Sequence, residues 1–252
     1  MNNNKFKYIY GPVSSWRLGS SLGIDLISQD NKICSFDCIY CQISEPSALS
    51  VERKVFIPTV DIVQEIDSLP QGLDIDYATF SGCGEPTLAL NIAEVNLKAK
   101  EILKVSTALL TNSSLLSRDD LRNDISGVDF VVAKLDAYDD ASLSRINRPH
   151  KNLNFKNILD GIRLFRAQYK GKLGIQIMFT KENRDRAKVI AELVLSFSPD
   201  EVQLNTPLRE SKTAPLSKDD MQRVEKFFKD FNVVSVYDKR KKDTVPLDKT
   251  EI

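Results

Sequence analysis

The chain has 252 residues, 42% of them hydrophobic and 28% charged, which is ordinary for a globular protein able to bury a sizeable core. Its 35 basic and 35 acidic residues cancel, so the net charge gives no support to a surface attracted as a whole to nucleic acid or membrane. No apolar run approaches the roughly 20 residues that span a bilayer, and residues 1–7 are polar, unlike a signal peptide. We therefore expect a cytoplasmic protein.

The first part of the chain is rich in glycine and serine, which predicts an irregular lead-in over residues 8–23. Apolar patterns then predict strands at 23–27, 77–81, 105–110, 128–135, 173–179 and 201–204, and a further strand at 233–237. They predict helices at 59–69, 90–103, 154–169 and 184–197, a short helix after Ser117 and another that begins at Ser217.

This alternation of strand and helix favours a parallel α/β sheet with right-handed crossovers. No low-complexity linker interrupts the pattern. We therefore interpret residues 1–237 as one domain and residues 238–252 as a charged, solvated tail.

Three of the four cysteines, Cys34, Cys38 and Cys41, lie within eight residues, directly after the first predicted strand. In a reducing compartment such clustering favours a metal centre over a disulfide framework. A zinc site with Cys83 as fourth thiolate is one alternative, although structural zinc loops usually pair two close cysteine doublets. An iron–sulfur cluster with three thiolates is the other, and it leaves one iron open to a further ligand.

Polar groups also follow the other predicted strands, at the edge where parallel α/β folds gather their functional groups. The second strand leads into Gly82-Cys83-Gly84-Glu85-Pro86, and the later strands carry or precede Asn112, Lys134, Asp136, Gln176 and Asn205. We expect these groups to converge on one face above the cysteines.

The C-x3-C-x2-C spacing, with Tyr40 before the last cysteine, resembles the signature of the radical S-adenosylmethionine superfamily. The resemblance implies a partial (β/α)6 TIM-like barrel in which Cys34, Cys38 and Cys41 hold a [4Fe-4S] cluster. The amino and carboxylate groups of S-adenosylmethionine would chelate the open iron, and reductive cleavage of this cofactor gives a 5′-deoxyadenosyl radical that abstracts hydrogen from a substrate. It also implies flavodoxin or ferredoxin as electron donor.

The segment Gly82-Cys83-Gly84-Glu85-Pro86 is similar to the G-G-E-P segment of that superfamily, which holds the methionine amino group. Glycine fits such a position because the backbone approaches the ligand closely. The resemblance further implies that Tyr40 lies near the adenine. By position, the carboxylate, ribose or adenine would be contacted by Asn112, Lys134, Asp136, Gln176 and Asn205.

Residues 8–209 resemble, in several segments, stand-alone iron–sulfur oxidoreductases related to the wyosine tRNA synthases. Those synthases carry a second cluster held by further N-terminal cysteines, whereas this chain has no cysteine before Cys34. The substrate therefore stays open between a small molecule, a nucleoside and a peptide. The main interpretation is an enzyme that uses S-adenosylmethionine to abstract hydrogen from an unidentified substrate. The alternatives are tRNA-nucleoside modification of the wyosine-synthase kind and a non-catalytic zinc or iron–sulfur binding module.

Four residues are candidates for substrate chemistry. Cys83 is a candidate hydrogen donor, or filler in the glycine-rich turn. Arg145 and Arg148 could grip an anionic substrate, or form ordinary loop ion pairs, and His150 follows them in the same predicted loop. Trp16 and Arg17 are expected to pack against the first strand of the barrel or to bridge it.

Overall fold

Eight strands of the computed structural model form one curled sheet within its described residues, 6–43, 48–238 and 242–247. The strands follow one another across the sheet in chain order. They are β1 (Ile9–Ser15), β2 (Gly19–Ile24), β3 (Tyr77–Phe80), β4 (Ser106–Thr111), β5 (Phe130–Lys134), β6 (Lys172–Met178), β7 (Glu201–Asn205) and β8 (Val233–Ser235). Strands β2 to β8 are parallel, and β1 is antiparallel to β2. This half-barrel confirms the predicted α/β fold of the partial TIM-like type.

The helices lie between the parallel strands and cover the sheet with their apolar faces. They are α1 (Thr59–Asp67), α2 (Ile92–Leu103), α3 (Asp119–Asp124), α4 (Asp140–Ile146), α5 (Phe155–Gln168), α6 (Ala187–Leu195) and α7 (Lys218–Glu225). In α5, Ile158, Ile162 and Phe165 are buried in the same core cluster as Leu173 and Ile175 of β6. Their spacing follows the helical period that the sequence predicted. None of the helices in these ranges is long and apolar enough to cross a membrane.

The prediction of an irregular lead-in over residues 8–23 was wrong, because β1 and β2 form an antiparallel hairpin there. Its glycines and serines are accommodated by specific contacts. A Cβ on Gly23 would lie 2.0 Å from the ring of Tyr10, so glycine permits that ring to pack across the hairpin. Ser21 Oγ and Thr79 Oγ1 are 2.7 Å apart, which pairs a buried hydroxyl of β2 with one of β3. Neither contact could be predicted from the glycine and serine content of this segment.

A second correction concerns the segment after β5, where Arg145 was expected in a loop. Arg145 lies instead in α4, which begins with a capping box: Ser142 N donates to Asp139 Oδ1 at 2.7 Å and Ser142 Oγ accepts from Asp139 N at 3.0 Å. The reciprocal cap satisfies two helix-end groups and makes so short a helix stable.

The tail was expected to be solvated, and its described part packs on the sheet edge. Lys242 Nζ lies 2.9 Å from Asp74 and 3.1 Å from Asp76, and Leu247 N donates to Gly11 O at 2.6 Å. The rest of the predicted tail, apart from residue 238, lies outside the described residues.

Arg53 joins the chain after the cysteine loop to two later elements. Its side chain is 2% exposed, and Nε donates to Thr87 O at 3.0 Å. A second donor reaches Ala89 O at 3.3 Å. The guanidinium also pairs with Asp120 at 2.9 Å and Asp124 at 2.6 Å. A buried cation with this many partners leaves several groups unsatisfied when it is removed.

We expect Arg53→Met to lower the free energy of unfolding by about 3 kcal/mol, measured by urea denaturation of the metal-free protein. Arg118→Met is the matched control, because Arg118 is 45% exposed and pairs with the same Asp120. That exposed pair should contribute less than about 1 kcal/mol. Equal effects of the two substitutions would contradict a structural role for Arg53.

Candidate active site

The loop with the three cysteines is braced by the chain that leaves α4. Asp37 N donates to Asn147 O at 3.0 Å, and Ile39 N donates to Ile146 O at 2.9 Å. His150 N donates to Ser35 O at 2.8 Å. The motif Arg145-Ile146-Asn147-Arg148-Pro149-His150 therefore acts through its backbone to hold the loop in place.

Two amide side chains donate hydrogen bonds to the cysteine sulfurs. Asn147 Nδ2 lies 3.3 Å from Cys38 Sγ, and Asn112 Nδ2 lies 3.6 Å from Cys34 Sγ. Asn112 Nδ2 also donates to Ser35 Oγ at 2.8 Å, which fixes its orientation. Donors aimed at sulfur are typical of the surroundings of metal-bound thiolates.

Burial dominates the acidity of two of these thiols. It raises the pKa of Cys34 to about 12 and also raises the pKa of Cys38. The thiolate forms would thus need a cationic partner, which a metal centre supplies. Within the described residues, no three His, Cys, Asp or Glu side chains are grouped to hold one metal ion. In a four-iron cluster each thiolate binds a different iron, so the sulfurs need not converge on one point.

The Gly82–Pro86 segment approaches the cysteine loop at backbone distance. Gly84 forms a parallel bridge with Ile33, and Glu85 N donates to Ile33 O at 3.1 Å. A Cβ on Gly84 would lie only 1.9 Å from Ile33 O, so a glycine is required. Gly82 has φ +155°, and a Cβ there would lie 2.1 Å from the carboxyl carbon of Asp25. Both glycines are therefore required by close contacts within the protein. Their close approach to a ligand stays a prediction.

Glu85 is buried, and its carboxylate is held by four hydrogen bonds. Thr111 Oγ1 and Thr87 Oγ1 donate to Oε1 at 2.6 and 2.7 Å, and Thr87 N donates to it at 3.2 Å. Asn112 N donates to Oε2 at 2.7 Å. Burial raises the pKa of Glu85, while these donors counteract that rise. The residue therefore ties the glycine-rich segment to the end of β4.

Tyr40 is buried, and its hydroxyl joins the cysteine loop to the end of β5. The hydroxyl donates to Asp136 Oδ2 and accepts from Lys134 Nζ at 2.8 Å and from Asn147 Nδ2 at 3.1 Å. Asp136 Oδ1 accepts from Met178 N at 2.7 Å, so it also reaches β6. Asp136 thus holds Tyr40 and the end of β6 in place, although it does not itself line the cavity that contains the cysteines.

The three cysteines open into one cavity of about 310 Å³ at the carboxyl edge of the sheet. The cavity brings together Cys34, Cys38, Cys41 and eight of the ten residues predicted to bind the cofactor. These eight are Tyr40, Gly82, Gly84, Glu85, Asn112, Lys134, Gln176 and Asn205. Cys83 and Asp136 do not line it.

The four candidates for substrate chemistry lie outside this lining. Cys83 is an exposed residue, but its sulfur is partly buried. This partial burial, and next to it the negative charge of Asp25, raise the pKa of the Cys83 thiol to about 11. Arg145 pairs with Glu182 at 3.2 Å, and Arg148 pairs with Asp37 at 3.3 Å. These are the surface ion pairs that the sequence offered as the alternative. His150 Nδ1 accepts from Asn152 N at 3.2 Å.

Two basic residues that sequence reasoning missed line the cavity. Arg17 does not simply pack on the first strand: it lies in the turn between β1 and β2 and reaches the cavity. Lys32 is 4% exposed, lines the same cavity, and its Nζ has no hydrogen-bond partner within the described chain. Its nearest carboxylate oxygen, Asp37 Oδ1, is 3.9 Å away. Lys32 could have been identified as a candidate from the sequence, because it lies only two residues before Cys34.

Comparison with known proteins agrees with this geometry. The family model described as the Radical SAM superfamily matches residues 30–194. A UPF0026 protein of Synechocystis is 41% identical over 213 residues, 82% of this chain and 78% of that protein.

Two solved structures share the fold. Streptococcus suis SuiB bound to precursor peptide SuiA has a TM-score of 0.65 at 14% identity, over 84% of this chain and 48% of that chain. This chain thus spans about half of SuiB. Archaeal TYW1 has a TM-score of 0.57 at 15% identity, over 84% of this chain and 72% of that chain. Identities this low show the fold alone. The family match is decisive: the chain belongs to the radical S-adenosylmethionine superfamily, whose members bind a [4Fe-4S] cluster and S-adenosylmethionine.

Proposed function

We propose that Cys34, Cys38 and Cys41 hold the [4Fe-4S] cluster and that the 310 Å³ cavity binds S-adenosylmethionine for reductive cleavage. The single observation that carries this proposal is the shared lining: the three sulfurs open into the same cavity as polar groups from the carboxyl ends of five parallel strands, β3 to β7. Cofactors of α/β folds bind at this edge of the sheet.

The residues fit an anionic cluster in two respects. Asn112 and Asn147 already aim N–H groups at Cys34 and Cys38, which favours thiolate over thiol. The buried ammonium of Lys32 gives the cavity a positive charge beside Cys34; within the described residues its Nζ has no hydrogen bond and only a long ion pair, 3.9 Å, with Asp37. Burying a cation that lacks hydrogen bonds is costly, and a negatively charged cluster would offset that cost.

The remaining polar groups are proposed to orient S-adenosylmethionine. Glu85 fixes the backbone of the Gly82–Pro86 segment, so that its exposed backbone groups can meet the methionine amino group. Lys134, Gln176 and Asn205 line the same cavity and are proposed to contact the carboxylate, ribose or adenine. Tyr40 lines the cavity and is held in place by the hydrogen bonds of its hydroxyl.

When bound and reduced, the cluster supplies the electron that cleaves S-adenosylmethionine to a 5′-deoxyadenosyl radical. The chain contributes orientation and exclusion of water. Leu110, Val132 and Met178 form apolar parts of the cavity wall, which protects a reactive species from solvent. The proposed electron donor is a flavodoxin or ferredoxin, and the proposed reaction on the substrate is hydrogen abstraction.

Anaerobic reconstitution with iron and sulfide tests the proposal. We expect about four irons per chain, a brown chromophore, and formation of 5′-deoxyadenosine when dithionite or reduced flavodoxin is added with S-adenosylmethionine. The non-catalytic alternative predicts a different result. Zinc without a chromophore, or a reduced cluster that leaves S-adenosylmethionine intact, would contradict the proposed function.

A further inference from the structure

A second cavity, of about 230 Å³, adjoins the cavity that contains the cysteines. The two cavities share part of their walls, namely Arg17, Gln42, Met178 and Asn205. The second cavity is also lined by Ser14 and Ser15 of the edge strand β1 and by Val236, which follows β8 at the other edge. It therefore lies at the opening between the two edges of the half-barrel and leads directly to the proposed S-adenosylmethionine site.

Two arginines line this second cavity and have no acidic partner among the residues that the structure describes. Arg17 comes from the hairpin turn, and Arg209 comes from the chain that follows β7. Neither forms an ion pair within the described ranges, and Arg17 Nε is buried without a hydrogen-bond partner there. Arg145 and Arg148, the arginines that the sequence favoured for an anionic substrate, both have carboxylate partners.

The surroundings of Arg17 would favour the binding of an anion. Burial lowers the pKa of Arg17 to about 10; Tyr10 counteracts this fall, and the positive charge of Arg209 adds to it. Burial and the charge of Arg209 both oppose the charged guanidinium, and a bound anion would relieve both. Arg209 is exposed and lines the second cavity but not the first.

Neighbouring groups suit the binding of an oxyanion. The Arg17 guanidinium lies 5.6 Å from the centre of the Trp16 ring, a cation–π contact that helps to orient it. Asn205 Oδ1 accepts from Thr206 N at 2.9 Å. That bond directs the amide so that Nδ2 is its group available to donate. Arginine and amide donors together recognise phosphate and carboxylate groups.

We propose that the second cavity binds a phosphate or carboxylate group of a small-molecule substrate between Arg17 and Arg209. The proposal rests on the proposed function, because the bound substrate would extend from this anchor towards the S-adenosylmethionine cavity. It assigns the anionic end of the substrate to this site and its reacting carbon to the shared wall at Met178 and Asn205.

Titration calorimetry on the anaerobically reconstituted protein tests the site. Inorganic phosphate and acetate are titrated separately at constant ionic strength, with chloride as the background anion. We expect saturable one-site binding of at least one of them. Arg17→Gln and Arg209→Gln should each weaken it by at least about tenfold, the change expected from losing one charged hydrogen bond.

The matched control is Arg163→Gln, because Arg163 is 45% exposed, pairs with Asp160 and lines neither cavity. It should bind the anion like the wild type. Arg17→Lys keeps the charge without the planar fork and should retain part of the affinity, which separates loss of the anion site from loss of folding. A melting temperature is recorded for every variant. Tighter binding of phosphate would indicate a phosphorylated substrate, and tighter binding of acetate a carboxylated one.

Three results would overturn the proposal. The first is that neither anion binds saturably. The second is wild-type binding in folded Arg17→Gln and Arg209→Gln. The third is that Arg17→Gln weakens binding of S-adenosylmethionine and leaves anion binding unchanged, which would assign Arg17 to the cofactor carboxylate. Failure of the proposed function is seen separately, as absence of 5′-deoxyadenosine, because anion binding does not depend on cofactor cleavage.

Discussion

Replacing Cys34, Cys38 or Cys41 by alanine is expected to abolish cluster assembly and, with it, cleavage of S-adenosylmethionine. Each of these residues lines the cavity, and the proposed cluster has no further protein thiolate to substitute for a lost one. We expect iron content to fall from about four to below about one per chain, and 5′-deoxyadenosine formation to fall by at least about 100-fold. Iron analysis and chromatography of the nucleoside product measure the two effects.

Cys83→Ala is the matched control for this experiment. Cys83 is exposed and lies outside the cavity lining, so its loss should leave iron content and nucleoside formation unchanged. A folded Cys38→Ala protein that still cleaves S-adenosylmethionine would contradict the cluster assignment. Loss of iron in Cys83→Ala would instead revive a site with four thiolates, as in the zinc alternative.

Most of the half-barrel could be predicted from the sequence, because buried parallel strands are short apolar runs and their helices keep a regular period. Val131 and Val132 in β5, and Ile158 and Ile162 in α5, follow these patterns and are buried. The hairpin could not be predicted in this way. Ser20 and Ser21 belong to a strand because they pair with β1, which is a contact between residues and not a property of either one.

In the candidate active site too, residues within a sequence motif could be predicted, whereas residues that matter through tertiary contacts could not. The spacing of Cys34, Cys38 and Cys41 and the glycines around Glu85 identify cavity residues, because close approach and thiolate chemistry restrict residue type strongly. Asn147 carries no such signal: its amide becomes informative only when Cys38 lies 3.3 Å away. Arg17 was missed because the lack of a counter-ion is a feature of its surroundings, which the sequence does not display.

The second large effect is expected from Gly84→Ala, which adds a single methyl group. That methyl would lie 1.9 Å from Ile33 O, a backbone atom that also accepts the hydrogen bond from Glu85 N. Relief requires the cysteine loop and the glycine-rich segment to separate, because the two nearest atoms, O and C of Ile33, belong to the backbone. We expect the free energy of unfolding of the metal-free protein to fall by about 3 kcal/mol, since overpacking against backbone lies at the upper end of such costs.

Gly127→Ala is the control, since a Cβ there would meet its nearest neighbour, Asn96 Nδ2, at an ordinary 3.4 Å. Its free energy of unfolding should stay the same or rise by up to about 1 kcal/mol, because alanine restricts the unfolded chain. The site-specific part of the prediction is that Gly84→Ala, folded at low temperature, incorporates less iron than Gly127→Ala under identical reconstitution. Separation of the two backbones would displace the loop that carries Cys34 from the segment fixed by Glu85. Wild-type iron content in Gly84→Ala would mean that cluster assembly does not require that close approach.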